Sequence, residues 1–324
     1  MATLNTATDR EKLVIGTRGS QLALWQANYI KSLIEEITDL PVEIKTIKTT
    51  GDKILDVPLA KVGGKGLFTK ELEVELMAGT VDLCVHSMKD VPTDLPEGLV
   101  MAGIPVREDA RDIMISHTGA GFSELPQGAR VGTSSLRRIA HVRNARPDIE
   151  IVDVRGNLDT RMRKAESGEL DAVILAAAGI RRLGWGERIT TYLSTDIMIS
   201  AVGQGAVGVE IREDDQYMQE LCAHITDPET MTCITAERVV MNRLEGGCQV
   251  PIGAYCRYNG DGFLRIDAMV GSVDGATILR VTQTGSDADP VALGETVVAE
   301  LKELGADEVL AAVRAASDAS ELLQ

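Results

Sequence analysis

Leu13-Val14-Ile15-Gly16-Thr17-Arg18-Gly19-Ser20 is the stretch that decides the fold. The apolar run ending at Thr17 predicts a strand, and the apolar residues at helical spacing over 22–37 predict a helix. Between them, Ser20 is the expected helix N-cap. Because a strand-to-helix turn exposes backbone N–H groups and Arg18 adds a positive charge, this turn favours an anionic ligand.

The same pattern recurs further along the chain. Asp82-Leu83-Cys84-Val85-His86 predicts another buried strand, and Ser87-Met88-Lys89-Asp90 follows it directly. Ligands of open α/β sheets bind at the carboxyl ends of strands, so this group of a hydroxyl, an ammonium and a carboxylate is a candidate site. A solvated Lys89–Asp90 surface pair is the alternative interpretation.

A second set of strand, turn and helix signals begins after Pro105. Its polar turns are Gly132-Thr133-Ser134-Ser135-Leu136-Arg137-Arg138 and Arg155-Gly156-Asn157. The glycine-rich segment 201–210 suits a return crossing that ends in a strand of the first lobe. The predicted fold class is therefore α/β, with two periplasmic-binding-protein-like lobes joined by a hinge.

The predicted domain boundaries follow from the second set of strand, turn and helix signals after Pro105 and from the return crossing. Domain 1 comprises 1–105 and 204–225, domain 2 is an inserted lobe at 106–203, and domain 3 comprises 226–324. Domain 3 is predicted to be a small C-terminal α+β domain. It contains Glu245-Gly246-Gly247-Cys248-Gln249-Val250-Pro251-Ile252-Gly253, in which two glycines present a cysteine between polar neighbours. A buried cysteine in a tight turn is the alternative interpretation.

Charge and cysteine content argue against several classes of protein. The formal net charge of −16 argues against a protein that binds nucleic acid through its overall field. Residues 1–12 contain no apolar run, so no signal peptide is expected there, and no apolar stretch is long enough to span a membrane. Five cysteines without a C-x-x-C pair favour a reducing, cytoplasmic compartment, with neither a disulfide framework nor a metal site.

Arginine is concentrated in the second predicted lobe. Residues 130–188 contain eleven arginines and one lysine. Guanidinium binds carboxylates in bidentate fashion, so a ligand with many carboxylates would explain this bias. Ion pairs with the eight acidic residues of the same window would explain part of it. The basic, glycine-rich stretch 51–66 is either a lid over an anionic ligand or a surface loop.

Four motifs, in order, closely resemble the signatures of the porphobilinogen deaminase (hydroxymethylbilane synthase) family. They are Val85-His86-Ser87-Met88-Lys89-Asp90-Val91-Pro92, Gly132-Thr133-Ser134-Ser135-Leu136-Arg137-Arg138, Ala201-Val202-Gly203-Gln204-Gly205-Ala206 and the stretch Glu245 to Gly253. The resemblance extends from Leu13 into the C-terminal domain. It implies a three-domain transferase of porphyrin and heme biosynthesis, and we expect a cytoplasmic monomer.

The resemblance also implies a reaction and a cofactor. Four porphobilinogen molecules would be joined head to tail with loss of ammonia, and hydrolysis would release the linear tetrapyrrole hydroxymethylbilane. The implied cofactor is a dipyrromethane attached to Cys248 through a thioether. Each pyrrole ring carries an acetate and a propionate, which would account for the arginines.

Residue roles follow from the same resemblance. Asp90 would stabilise the azafulvene cation that remains after ammonia leaves porphobilinogen, and would move protons. Three arginines would assist the coupling, namely Arg18, Arg155 and Arg161. The implied cofactor-binding residues are Cys248, Asp90, Lys89, Ser87, Thr133, Ser135, Arg137 and Arg138. The implied substrate-binding residues are Arg18, Ser20, Phe68, Arg155, Arg182 and Gln204.

Two other functions fit parts of the pattern. A two-lobed anion-binding protein would share the order of strands, turns and helices, although it has no use for a presented cysteine. A nucleotide-dependent enzyme would need a Walker loop at Gly63-Gly64-Lys65-Gly66, but neither Ser nor Thr follows Lys65.

Overall fold

The computed structural model describes residues 4, 8–53, 66–246 and 250–321. The described residues form two compact units. The first unit contains those up to 53 together with 66–108 and 205–231, and the second unit contains 109–204 and 232–321. Most of the predicted lid and the predicted anchor Cys248 lie outside the described residues. The division into three domains stays a prediction.

The first unit is built on a five-stranded sheet. Its elements, numbered along the chain, are β1 (Leu13–Thr17), α1 (Gln21–Glu35), β2 (Val42–Thr46), α2 (Thr50–Lys53), α3 (Lys70–Met77), β3 (Leu83–Ser87), β4 (Leu99–Gly103), β10 (Val207–Arg212) and α7 (Gln216–Ile225). The strand order is β2-β1-β3-β10-β4. β1 is parallel to β2 and β3, whereas β10 is antiparallel to both of its neighbours.

Two apolar layers cover this sheet. Helices α1 and α7 pack on the strands through residues such as Ile30, Ile34 and Leu221. Helix α3 contributes Leu72 and Leu76 to a separate cluster that includes Cys84 of β3. The alternation of side chains along a strand explains why consecutive residues of β3 serve different layers.

The second unit contains a five-stranded sheet with the same spatial arrangement, although its strands follow a different order along the chain. Its first part comprises β5 (Asp112–Ser116), β6 (Arg130–Gly132), α4 (Leu136–Ala145), β7 (Glu150–Val152), α5 (Leu158–Glu166), β8 (Ala172–Ala176), α6 (Ala177–Arg182) and β9 (Thr191–Tyr192). The strand order is β7-β6-β8-β5-β9, with β5 antiparallel to β8. Each sheet contains three parallel strands, β1 to β3 in the first sheet and β6 to β8 in the second. In both sheets, the first of these three strands along the chain lies between the other two. The predicted pair of α/β lobes is confirmed.

The rest of the second unit is the predicted C-terminal α+β fold. It consists of α8 (Pro228–Arg243), which begins in the first unit, β11 (Ile252–Tyr258), β12 (Phe263–Gly271), β13 (Ile278–Ser286), α9 (Pro290–Glu303) and α10 (Ala306–Glu321). The three strands form an antiparallel sheet. Residues of all three helices share one apolar cluster with this sheet, so the helices cover one of its faces.

Helix α4 joins the two parts of the second unit. At its carboxyl end, Arg143 Nη1 donates to the Val273 carbonyl at 2.9 Å, and Asn144 Nδ2 donates to the Gly275 carbonyl at 3.0 Å. A Cβ at Gly275, whose φ is +75°, would lie 2.5 Å from the Cβ of Arg143. Glycine is therefore required in this turn of the C-terminal sheet.

Three local features differ from the sequence prediction. Helix α2 lies within the predicted loop. The sequence predicts a helix over 232–244, whereas helix α8 begins at Pro228, because the Asp227 side chain accepts a hydrogen bond from Thr230 N at 2.8 Å and proline suits the first helical position. The sequence predicts one helical region from about 291 to 323, whereas the structure has two helices, α9 and α10, separated at Gly305 with φ +99°. No helix among the described residues is long and apolar enough to cross a membrane.

Candidate active site

Polar turns of the first unit meet at one edge of its sheet. β1 and β3 are parallel neighbours, so Arg18 after β1 and Ser87 at the end of β3 lie at the same edge. β10 begins there as well, since Val207 pairs with Ser87 and the Ala206 carbonyl accepts a hydrogen bond from Met88 N at 3.1 Å. The structure therefore brings the predicted residues of this unit to a common edge.

Arg18 is held by a carboxylate and an aromatic ring. Its Nη2 lies 2.5 Å from Asp52 Oδ1, and its Cζ lies 4.0 Å from the centroid of the Phe68 ring. Burial alone would raise the pKa of Asp52, but hydrogen bonds from Arg18 and Thr49 outweigh it and lower that pKa. Asp52 therefore stays ionised near neutral pH and fixes the guanidinium beside Phe68. Sequence reasoning did not identify Asp52.

Ser20 acts locally as a helix cap. Its hydroxyl accepts a hydrogen bond from Ala23 N at 3.2 Å, and its backbone is extended, as an N-cap requires. The predicted cap is confirmed, whereas the predicted contact of Ser20 with substrate stays a prediction.

Ser87 is positioned by a buried amide from α1. Gln26 is 2% exposed, and its Nε2 donates to Ser87 Oγ at 2.9 Å. A polar side chain on the buried face of a helix needs a partner, and Ser87 supplies it. The sequence signal for Gln26 was therefore its position on the apolar face of α1.

Lys89 and Asp90 lie in a single 3-10 turn after β3. The turn spans Met88–Asp90 and leaves both charged residues partly exposed. Among the described residues, the Asp90 carboxylate has neither a hydrogen bond nor an ion pair. A partly buried carboxylate without a protein partner is available to a cationic or N–H-bearing ligand.

A buried acid–histidine cluster lies on the α3 side of β3. His86 Nε2 is 2.9 Å from Glu210 Oε2, and both side chains are almost completely buried. Glu73 of α3 is 8% exposed, and burial raises its pKa, with the nearby Glu210 charge adding to the effect. Sequence reasoning missed this cluster because 124 residues separate His86 from Glu210.

In the second unit, a buried carboxylate holds two of the predicted arginines. Asp112, at the start of β5, is fully buried and accepts from Arg137 Nη1 at 2.7 Å and from Arg138 Nη2 at 2.7 Å. Arg138 also donates through Nε to Asp112 at 2.9 Å and through Nη1 to the Ile174 carbonyl at 2.9 Å. Arg138 is thus tied to its own unit, and its predicted cofactor contact stays a prediction.

The two arginines keep Asp112 ionised. Burial alone would raise the pKa of this carboxyl, but the positive charges and hydrogen bonds of Arg137 and Arg138 lower it well below its usual range. Gln204 contributes a third donor, with Nε2 at 3.1 Å from Asp112 Oδ1 and at 2.7 Å from the Ala110 carbonyl. The predicted hinge residue Gln204 therefore belongs to the Asp112 network.

Two predicted hydroxyl residues, Thr133 and Ser135, lie just before helix α4, and their side chains differ in their hydrogen bonding. Thr133 is buried, and its Oγ1 accepts from Ser135 N at 3.3 Å. Ser135 occupies the N-cap position of α4, but its side chain makes no capping hydrogen bond. Both follow β6 at the edge where β5 begins, so they lie at the same sheet edge as the Asp112 network.

The remaining predicted arginines lie around the same edge. Arg155 follows β7 and is partly buried, and Arg182 ends α6 after β8. Arg161 Nε donates to the Gly156 carbonyl at 3.0 Å, in a turn where Gly156 has φ +103°. Four other arginines pair with acidic residues of the same segment, namely Arg130, Arg146, Arg163 and Arg188.

Family models match almost the whole chain. Residues 13–220 match the porphobilinogen deaminase, dipyromethane cofactor binding domain, and residues 231–303 match the porphobilinogen deaminase, C-terminal domain. The chain is 53% identical to a porphobilinogen deaminase from Syntrophobacter fumaroxidans, over 94% of this chain and 98% of the relative. A porphobilinogen deaminase from Carboxydothermus hydrogenoformans is 48% identical, over 96% of this chain and 100% of the relative.

Similarity to solved structures is more distant. A periplasmic binding protein of Salmonella typhimurium with high arginine specificity aligns with a TM-score of 0.37 and 15% identity, over 67% of this chain and 92% of that chain. This likeness is too weak to carry an argument. The alternative of a two-lobed anion-binding protein is not favoured, because the full-length relatives are porphobilinogen deaminases.

Proposed function

This chain belongs to the porphobilinogen deaminase family, and we propose that it joins four porphobilinogen molecules head to tail with loss of ammonia at each step. Hydrolysis then frees the linear tetrapyrrole hydroxymethylbilane, which makes the chain a hydroxymethylbilane synthase of porphyrin and heme biosynthesis. The match of both family domains along one chain carries the proposal.

The residues of the second unit fit a dipyrromethane cofactor. Its two rings carry four carboxylates, each of which needs hydrogen-bond donors. Arg137 Nε is buried and has no hydrogen-bond partner among the described residues, so a carboxylate oxygen there would satisfy it. We assign the thioether to Cys248 and the polar contacts to Ser87, Lys89, Thr133, Ser135, Arg137 and Arg138. When bound, the cofactor supplies the α-carbon to which the first substrate ring is joined.

Asp90 is assigned as the catalytic carboxylate. Loss of ammonia from porphobilinogen leaves a cation, and a preorganised carboxylate stabilises positive charge more in the transition state than in the ground state. The absence of a described protein partner leaves the Asp90 oxygens free to accept a pyrrole N–H or to take up a proton.

Substrate carboxylates are assigned to a second set of residues. Arg18 combines a fixed guanidinium with the neighbouring Phe68 ring, so it can bind a carboxylate while the ring contacts an apolar face. Ser20, Arg182 and Gln204 complete the assigned substrate contacts, and Arg155 and Arg161 assist the coupling with Arg18. Charge complementarity between arginine and the acetate and propionate groups supports this assignment.

We place the protein in the cytoplasm as a monomer. Four cysteines are free and buried, which suits a reducing compartment, and they are Cys84, Cys222, Cys233 and Cys256. Light scattering on the purified protein should give the mass of one subunit, and a multiple of it would contradict the monomer.

The proposal is tested first by intact mass. The purified chain should exceed the polypeptide mass by a dipyrromethane, and peptide mapping should place the excess on Cys248. The Cys248→Ser variant should lack that excess even after incubation with porphobilinogen. A loaded Cys248→Ser variant would exclude Cys248 as the anchor.

Asp90 is tested by turnover. Asp90→Asn should retain the cofactor mass but lose at least 100-fold in turnover, the usual scale for a positioned acid or base, about 10² to 10⁴. Asp94→Asn is the matched control, because Asp94 is exposed and lies only four residues away. Similar turnover in the two variants would remove Asp90 from the mechanism.

A further inference from the structure

The end of helix α8 has an unusual backbone. Glu245 has φ +49° and is the only non-glycine residue with a positive φ among the described residues. Glu245 N donates to the Asn242 carbonyl at 3.0 Å, and Gly246 N donates to the Met241 carbonyl at 2.7 Å. This pair of hydrogen bonds is a Schellman ending, in which glycine normally occupies the position that Glu245 holds here.

Gly246, the residue after Glu245, lies close to the end of helix α8. A Cβ at Gly246 would lie 2.9 Å from Met241 Cγ, 3.0 Å from the Met241 carbonyl oxygen and 3.1 Å from Ile252 Cδ1. The backbone at 246 therefore packs directly on the last turns of α8 and on β11. Only one residue, Gly247, separates Gly246 from Cys248, the assigned anchor.

Arg314 of α10 binds the carboxyl end of helix α8. Its Nη2 donates to the Leu244 carbonyl at 3.0 Å and to the Glu245 carbonyl at 3.3 Å, and its Nη1 lies 3.5 Å from Glu245 Oε2. The last carbonyls of a helix have no partner within the helix, and a cation is favourable beside them. Arg314 thus contacts both the backbone and the side chain of the residue with positive φ.

The left-handed conformation of Glu245 has a steric cost because of its Cβ, so it persists only where surrounding contacts favour it. Arg314 supplies three of these contacts. It also lies beyond residue 303, where the match to the family's C-terminal domain ends. The contact is therefore a property of this chain that the family match does not assign.

We propose that Arg314 is a positioning residue for cofactor loading: it holds Glu245, which ends helix α8 three residues before Cys248, in the left-handed conformation. The inference rests on the proposed function. Without Arg314, the helix end populates other conformations, and the loading rate falls in proportion to the competent fraction. Turnover of the loaded enzyme depends on other residues, such as Asp90, and stays unchanged.

The test measures loading separately from turnover. The full-length apoprotein, produced in cells that cannot make porphobilinogen, is mixed with hydroxymethylbilane, and the pyrrole mass on the chain is followed by intact-mass spectrometry. In this step the Cys248 sulfur replaces the terminal hydroxyl of hydroxymethylbilane, and the thiol proton leaves with that hydroxyl as water. Arg314→Ala should load about fivefold more slowly, the factor for one hydrogen bond of ordinary net strength.

Two further variants test whether Arg314 acts through Glu245. Arg243→Ala is the matched control, because Arg243 also ends α8 but pairs with Glu295 at 2.6 Å, and it should load at the normal rate. The double variant Arg314→Ala with Glu245→Gly should regain most of the lost rate, since glycine adopts positive φ without steric cost. A general loss of stability would also lower the turnover of the loaded enzyme, which stays unchanged if Arg314 acts on loading alone.

Each outcome decides the inference. Equal loading of Arg314→Ala, Arg243→Ala and the unaltered chain would overturn it and leave the proposed function intact. Slow loading that Glu245→Gly does not restore would also overturn it, because Arg314 would then act by another route. If the unaltered chain itself gains no mass, the proposed function fails, and the inference fails with it.

Discussion

Replacing Asp112 by asparagine removes one negative charge from the centre of the second unit. The substituted amide keeps the size of the side chain and an oxygen for Gln204 Nε2, which lies 3.1 Å from Asp112 Oδ1 in the unaltered chain. It leaves Arg137 and Arg138, which are 4% and 6% exposed, without their shared counter-charge. Two buried guanidinium groups then face each other with no carboxylate between them.

The expected cost follows from the geometry. Removing one partner of a buried ion pair typically costs about 3–5 kcal/mol, because the remaining charge stays buried and uncompensated. Asp112 is fully buried and accepts several hydrogen bonds from its two arginines, so we expect the upper part of this range. A domain has a free energy of unfolding of about 5–15 kcal/mol, so the variant should remain folded but with little margin.

The assay can be confined to the second unit. The chain has two tryptophans, Trp25 in the first unit and Trp185 in the second. In a Trp25→Phe background, the fluorescence of Trp185 reports urea unfolding of the second unit alone. Trp185 packs against its core and lies 5.1 Å from Arg188 Cζ, so its environment should change on unfolding.

The effect should also depend on pH. Because the folded-state pKa of Asp112 lies below its unfolded value, its ionisation stabilises the fold above that unfolded value, about 3.9. This contribution is lost as the pH falls below about 4 towards the folded pKa. The difference between the unaltered chain and Asp112→Asn should therefore narrow below about pH 4.

Asp148→Asn is the control for this measurement. Asp148 also pairs with an arginine, Arg146, at 2.7 Å, but both side chains are partly exposed. Its loss should leave the Trp185 transition close to that of the unaltered chain. The reasoning would be refuted by a loss below about 1 kcal/mol for Asp112→Asn, since that is the scale of an exposed pair.

Two further predictions concern the neighbourhood of the anchor and the other thiols. A Cβ at Gly253 would lie 3.0 Å from the Ser200 carbonyl oxygen and 3.1 Å from Arg137 Cδ, so Gly253→Ala should cost about 1–3 kcal/mol in urea unfolding. Gly186→Ala, which meets open space, is its control, and equal stability of the two would contradict the predicted crowding. In native protein, iodoacetamide should leave the four described cysteines unmodified, because all are buried and burial raises the pKa of Cys222 to about 12 and that of Cys84 as well. The apoprotein should then gain one adduct, at Cys248, and native modification of any of the four would contradict this.

Local features were predictable from the sequence because their causes are local. The strand Leu13–Thr17 and the Ser20 cap depend on residues within one turn of each other, and both are confirmed. The pair of α/β lobes followed from the repeated pattern of strand, polar turn and helix. The early start of α8 was missed because the prediction gave no weight to the Asp227–Pro228 pair.

Partners distant in sequence could not be predicted. Asp112 and Arg138 are 26 residues apart, and Gln26 and Ser87 are 61 residues apart. Hydrophobic periodicity places each residue on a buried face but does not identify its partner across the sheet. Sequence reasoning thus found the arginines and the Ser87 hydroxyl, but not the carboxylate and the amide that orient them.

The position of β10 determines the order in which the two α/β sheets can be completed as the protein is synthesised. β10 lies between β3 and β4 and pairs with both, yet it is translated only after the whole of β5 to β9. While the chain emerges from the ribosome, the first sheet therefore has a gap and two unpaired strand edges, which are sites for wrong pairing. The inserted sheet is continuous in sequence and can close first. The lobe that begins the chain is thus the later one to be completed.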